Sequence, residues 1–183
     1  MNSEPTNRDA YLAQFDPHRN TDERVIEEPL AYAARMQRSL LPHWPTDILV
    51  DWLHWHERHI YQYASLGFEN LHFRLETWSL ERIPGAEAFR DPNFIKDCGS
   101  IEAQIKAGGW LVKYMVEHGT WKTPIILLDT RGVPKVATSK QPLRFPVHLL
   151  EGHHRLAFLN LLRDQPGTRP EHKVWIAEFR AKS

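Results

Sequence analysis

The sequence predicts an α+β domain preceded by a helical extension, and three observations carry that prediction. Apolar residues recur at helical spacing between about residues 29 and 66. After Gly67 the pattern switches to alternation in "LHFRLETWSL", which is a strand signal. Beyond it, helical and strand patterns follow in the order helices, strand, strand, helix, strand, with no internal repeat.

The length and composition fit this reading. A chain of 183 residues with 42% hydrophobic residues and seven tryptophans can bury a core, as one domain with an extension. Lys plus Arg equals Asp plus Glu at 23 each. That balance argues against direct nucleic-acid binding over a wide surface, which needs excess positive charge. A small phosphate pocket needs local charge only. Cys98 is the single cysteine, so an intramolecular disulfide is excluded and a cytoplasmic location is expected. The opening "MNSEPTNRDAYLAQF" lacks the basic flank and apolar core of a secretory signal. No apolar run approaches the length of a membrane span, so no membrane association is expected.

Taken in order, residues 1 to 28 are polar and proline-containing and read as a loose arm. A helix follows from Pro29, a residue suited to a first turn, and ends before Pro42. A second helix, over about 47–66, places Ile48, Trp52, Trp55, His56, Ile60 and Tyr63 on one face, and Gly67 caps it. "LHFRLETWSL" is the first strand. From Asp91 to His118 the period is helical, with a break expected at Gly108-Gly109 because each glycine costs about 1 kcal/mol in a helix interior. "PIILLD" (124–129) reads as a buried strand and "DTRG" as a turn. Residues 133–142 form an excursion before the strand "FPVHLL"; a helix over about 153–163 and a last strand, "KVWIAEF", complete the domain. The expected division is 1–67, arm and helical extension, and 68–183, the α+β domain.

Chemistry concentrates in "HLLEGHHRLAFLNLL" (148–162), where a strand enters a helix through Glu151 and Gly152. Backbone N–H groups at a helix start, with the positive end of its dipole, favour an anion, most often phosphate. Gly152 permits close approach or a positive φ. Arg155 can offer a bidentate fork to phosphate oxygens. His153 and His154 can donate hydrogen bonds or exchange protons near neutral pH. Glu151 can act as a base or bind a phosphate-associated Mg²⁺. A purely structural reading uses the same residues differently: Glu151 caps the helix, Arg155 is its i+4 partner, and the histidines are surface residues.

The segment "VHLLEGHHRLAFLNLL" resembles the glycine-centred box of the ParB/sulfiredoxin-like superfamily, in which a strand runs into Gly-x-x-Arg at a helix start. "LVKYMVEHGTWKTPIILLD" resembles the preceding helix, glycine turn and Pro-Ile strand, and "LHFRLETWSLERIP" stands in the place of the first strand. The resemblance covers about residues 68 to 180. It implies a ParB/sulfiredoxin-like mixed sheet with packed helices, and it implies that Gly152, His154 and Arg155 hold nucleotide phosphates. By the same resemblance the loop with Trp121 and Lys122 borders the nucleotide pocket, with Trp121 available for stacking and Lys122 for phosphate. Sulfiredoxins carry a cysteine where this chain has His153, so sulfinate repair is not expected. ParB proteins carry a downstream DNA-reading domain, whereas about twenty residues follow the box helix here, and the Gly119–Pro124 segment is longer. The acidic-Gly-His-x-Arg form resembles the free-serine kinases of the superfamily, which implies a phosphoryl-transfer role for Glu151. Nucleoside triphosphate and Mg²⁺ are the implied cofactors, with Glu151 and His153 as catalytic candidates and Glu151 as metal ligand.

"HWHERH" (54–59) has histidines at three-residue spacing, not the four that a helical His-Glu-x-x-His zinc pair needs. Asp129 at a strand end suits a turn. The leading functional expectation is a nucleotide- or phosphate-binding protein, a Mg-dependent phosphotransferase or nucleotide hydrolase if it is catalytic. The alternatives are a DNA-associated, nucleotide-gated regulator and a non-catalytic protein-binding module, toxin-neutralising or scaffolding. The tryptophan-rich N-terminal helices motivate a protein partner.

Overall fold

In the N-terminal part, packing begins earlier than the polar composition of the arm suggests. The structure is a computed structural model that describes residues 7–56, 61–91, 93–134 and 143–181. By its internal contacts the chain divides into two units, one reaching His72 and one spanning Phe73–Ala181.

The first unit is helical. Helix α1 (Asn7–Ala13) occupies the segment expected to be a loose arm. Leu12 and Phe15 are buried, and the Phe15 ring meets those of Tyr11 and Phe68 at centroid distances of 5.1 and 5.0 Å. The Tyr11 hydroxyl donates to Glu69 Oε2 at 2.7 Å, and the Tyr32 hydroxyl to the Phe15 carbonyl at 2.7 Å. Arg35 holds Glu27 through Nε and Nη2 at 2.9 and 2.7 Å, and this hydrogen-bonded cation pulls the Glu27 carboxyl down to a pKa of about 2. The arm is therefore ordered by three apolar side chains and one ion pair. A count of its polar residues did not weigh them.

Helix α2 (Pro29–Ser39) has proline in its first turn, as expected, and buries Tyr32, Ala33 and Met36. The next helix differs from the expectation. It runs as α3 (Thr46–Ile48) and continues as a π-helical stretch, Leu49–His54. A π-helix adds a residue to the turn and rotates everything beyond it. Ile48, Leu49, Trp52, Leu53 and His54 are buried, whereas Trp55, assigned to the inner face by a 3.6-residue period, is 61% exposed. Ile60, with Arg58 and His59, lies outside the described residues. Tyr63, in the 3₁₀ segment Tyr61–Leu66, is buried as expected.

The second unit is built on a four-stranded mixed sheet with the order β1-β4-β2-β3. Its strands are β1 (Leu71–Ser79, begun in the first unit), β2 (Ile125–Asp129), β3 (Val147–Glu151) and β4 (Glu171–Phe179). β2 runs antiparallel to β3 and parallel to β4. β2 is buried from Ile125 through Leu128, as a continuous apolar run in a central strand should be. β1 lies at the sheet edge and carries Arg74, which pairs with Glu76 and with Glu178 of β4. Charged side chains blunt such an edge against pairing with other chains.

The helical stretch before β2 breaks twice. α4 (Phe94–Asp97), α5 (Ile101–Lys106) and α6 (Trp110–His118) are separated at Gly99 and at Gly108-Gly109. The second break is the expected one. The first arises because Ser100 caps α5, accepting a hydrogen bond from the Ala103 N–H at 3.2 Å. Gly119 ends α6 in the left-handed conformation, and a Cβ there would stand 2.0 Å from the Gly167 carbonyl oxygen.

The core joins Ile125, Leu127, Leu149, Val174 and Ile176 of the sheet to α7 (His153–Leu162). Leu156, Leu159 and Leu162 are buried, as their spacing requires. Leu159→Ala should cost about 2–5 kcal/mol of folding stability, read as a lower urea midpoint with an unchanged m-value.

Candidate functional site

The junction of β3 and α7 is shaped by one backbone requirement. Gly152 adopts φ +97° at the helix N-cap, and no side chain caps the helix there. A Cβ at this position would lie 2.6 Å from Ile125 Cγ2 and 3.0 Å from Ile125 Cβ. Glycine is thus needed twice, for the left-handed backbone and for the close approach to β2.

The strand before it is bulged. The register pairs Leu127 with Leu149 but Ile126 with Glu151, so an extra residue of β3 is accommodated between them. A bulge of this kind re-aims the side chain that follows it. Glu151 is thereby set beside Arg155, whose Nη2 donates to Glu151 Oε1 at 3.2 Å, with side-chain exposures of 13% and 12%. Arg155 Nη1 donates to the carbonyls of Thr123 at 2.9 Å and Pro124 at 3.3 Å. The i+4 pair of the structural reading is present, and it also fastens the segment between Gly119 and β2 to the first turn of α7.

The histidines turn elsewhere. His153, half-buried, meets Phe89 and Phe94 edge-on at centroid distances of 6.1 and 5.7 Å. His154 is exposed and lies 5.3 Å from the Phe94 ring and 6.0 Å from that of Phe158. The structure therefore groups Glu151, Gly152 and Arg155 with the loop before β2, and groups His153 and His154 with an aromatic cluster.

Trp121 is a correction. The residue is 4% exposed, its Nε1 donates to the Lys173 carbonyl at 2.7 Å, and the His172 ring is 5.1 Å away. A side chain so enclosed offers no face for stacking a base. Lys122 beside it is exposed. The same loop is tied to β4 through Thr120 Oγ1, which shares a 2.8 Å hydrogen bond with Nδ1 of buried His172. Asp129 bonds Arg131 through the Arg131 N–H at 3.1 Å and Nε at 2.9 Å, the turn role its sequence suggested. Cys98 is buried in the core cluster, and burial raises its thiol pKa, so it is not an activated nucleophile.

Two residues near the box carry chemistry that the sequence reading did not single out. Arg144 donates through Nε to the Phe89 carbonyl at 2.9 Å and through Nη2 to the Arg90 carbonyl at 2.7 Å. Its own N–H donates to His148 Nδ1 at 3.2 Å, which fixes His148 as the Nε2–H tautomer when neutral. His148 is 3% exposed. Burial first, and then the electrostatic influence of His153, Arg144 and Arg90, pushes its pKa down to about 4. The signal was present in the sequence as one ionisable residue inside the apolar strand "PVHLL".

Among the described residues, no group of three or more His, Cys, Asp or Glu side chains is placed to hold a metal ion. His54 of the "HWHERH" segment is buried, with Nε2 against the Glu27 carbonyl at 2.8 Å, and His59 lies outside the described residues. Glu151 could meet Mg²⁺ only in the manner usual for that ion, as one carboxylate among waters and phosphate oxygens. No described helix is long and apolar enough to cross a membrane. Comparison with protein-family models, curated proteins and solved structures finds no match to this chain.

The pKa of His148 gives a pH dependence of defined sign. Folded His148 titrates near 4 and the unfolded side chain near 6.5, so between these values the unfolded state binds the extra proton. Stability should therefore fall as pH drops from about 7 toward 4, by on the order of 3 kcal/mol for this residue. His172, also depressed chiefly by burial, acts in the same direction. Urea midpoints across this range should show the slope, and His148→Gln should flatten it.

Proposed function

We propose that the turn between β3 and α7 binds the phosphate of a nucleotide or phosphorylated small molecule, in a chain of the ParB/sulfiredoxin-like kind. The observation that carries the reading is the conformation of Gly152: φ +97° at the start of a ten-residue helix that no side chain caps. First-turn N–H groups and the positive helix end favour an anion there. Arg155 supplies a guanidinium on the same turn and holds the Thr123 and Pro124 carbonyls, so the loop carrying exposed Lys122 is fixed beside it. In this reading Arg155 contributes both charge and the shape of the site.

Catalysis is the second layer of the proposal. Glu151 acts as base toward an acceptor hydroxyl or water, or as one ligand of a phosphate-bound Mg²⁺. The proton-exchange role expected for His153 is not kept, because its ring packs against Phe89 and Phe94. A role in protein binding is the second reading, favoured by the exposed apolar residues Ile26, Leu30 and Trp55 of the first unit, at 60, 70 and 61%.

Calorimetric titration of nucleoside triphosphates and pyrophosphate, with and without Mg²⁺, tests the binding. Arg155→Ala should weaken affinity about tenfold to a hundredfold, the worth of a charge-assisted bond. It should also lower the melting temperature, because two carbonyls and a carboxylate lose their partner. Arg155→Lys should restore part of both. Lys122→Ala, an exposed change, should reduce affinity severalfold with an unchanged melting temperature. Glu151→Gln should spare nucleotide binding and abolish any turnover. Equal affinity of wild type and Arg155→Ala would overturn the phosphate reading.

A further inference from the structure

The far end of α7 bears on a separate cavity of about 490 Å³, within the size range of small-molecule sites. Its walls are apolar: Ile101 and Ile105 of α5, Met115 and Val116 of α6, and Leu161 and Leu162 of α7. Ser100, Glu102, Gln165 and Thr168 supply polar groups to the same wall. A ten-residue helix is about 15 Å long, so this cavity and the Gly152 turn stand at opposite ends of α7.

The lining carries a single charged side chain, Glu102, which lies on the first turn of α5 next to its cap, Ser100. Met115, Val116 and Gly119 lie at the C-terminal end of α6, and Leu161 and Leu162 at that of α7. Helix C-termini carry partial negative charge and favour cations. The Leu162 carbonyl is engaged by Gln165 N–H at 2.8 Å and Thr168 Oγ1 at 2.6 Å. Arg169 Nε takes the His118 carbonyl at 2.9 Å, but Arg169 is not part of the lining. The exposed Glu102 carboxylate is therefore the one side-chain charge bordering an apolar enclosure, with the C-terminal ends of α6 and α7 and the N-terminal end of α5 around it.

We infer that this cavity binds an apolar molecule carrying a single cationic group, of the alkyl- or arylamine class. The hydrocarbon part lies against Ile101, Ile105, Met115 and Leu162, and the ammonium faces Glu102. Apolar burial supplies most of the affinity, and the charge selects among ligands of equal size. The proposal is independent of the phosphate reading and shares no residue with it.

The full chain is titrated with n-octylammonium, n-octanol and n-octanoate, each below its micellar or solubility limit, by saturation-transfer NMR and calorimetry. Octylammonium should bind tightest, about twofold to fivefold over octanol, the worth of an exposed ion pair, with octanoate weakest. Butylammonium should bind more than tenfold more weakly than octylammonium, because four methylenes leave the apolar wall. Glu102→Gln should bring octylammonium and octanol to parity. Val116→Lys, at a site 46% exposed and so tolerant of the change, should reverse the order in favour of octanoate. Absence of saturable octylammonium binding, or tightest binding of octanoate by the wild type, would overturn the inference. A dimer in sedimentation that octylammonium fails to dissociate would also overturn it, since a second copy would then occupy the groove.

Discussion

The close approach of Gly152 to Ile125 is the constraint on which the second unit is organised. With φ at +97° and Ile125 Cγ2 2.6 Å from where a Cβ would stand, β3 can pass into α7 only through a residue without a side chain. That contact brings α7 low onto the sheet, so Leu156 and Leu159 join Leu127, Leu149 and Val174 in one core. The bulge between Leu149 and Glu151 lies just ahead of that turn, where Glu151 pairs with Arg155. Core and candidate site thus share a single turn.

Arg155 links that turn to the loop ahead of β2. A guanidinium has five donor hydrogens in a planar fork, so holding the Thr123 and Pro124 carbonyls is chemically compatible with meeting an anion. The ion pair with Glu151 realises the structural reading of the box, and it also keeps a carboxylate within reach of the same turn. An arginine placed this way makes binding and local stability rise and fall together, so the exposed Lys122 is the cleaner probe of charge.

Much of this was legible locally. The spacing of Leu156, Leu159 and Leu162, the apolar run of β2, the break at Gly108-Gly109 and the glycine between β3 and α7 are all short-range signals, and the structure carries each of them. What escaped depends on partners distant in sequence or on helix register. Trp121 is buried because β4, about fifty residues later, supplies the Lys173 carbonyl and the His172 ring. Trp55 is exposed because a π-helical stretch precedes it, and no 3.6-residue count anticipates that. The N-terminal arm is ordered by contacts of Tyr11 and Phe15 with Phe68 and of Tyr32 with Phe15, which its own composition does not announce.

Backbone amides report on the Gly152 turn most directly, because the anion is assigned to N–H groups rather than to any replaceable side chain. A ¹⁵N–¹H titration of the wild-type chain with pyrophosphate and with a nucleoside triphosphate and Mg²⁺ isolates them. Saturable shifts are expected at Gly152, His153, His154 and Arg155, accompanied by Thr123 and Lys122 of the fastened loop. Amides that stay unmoved at this turn through millimolar ligand, or shifts confined to other parts of the chain, would contradict the phosphate reading.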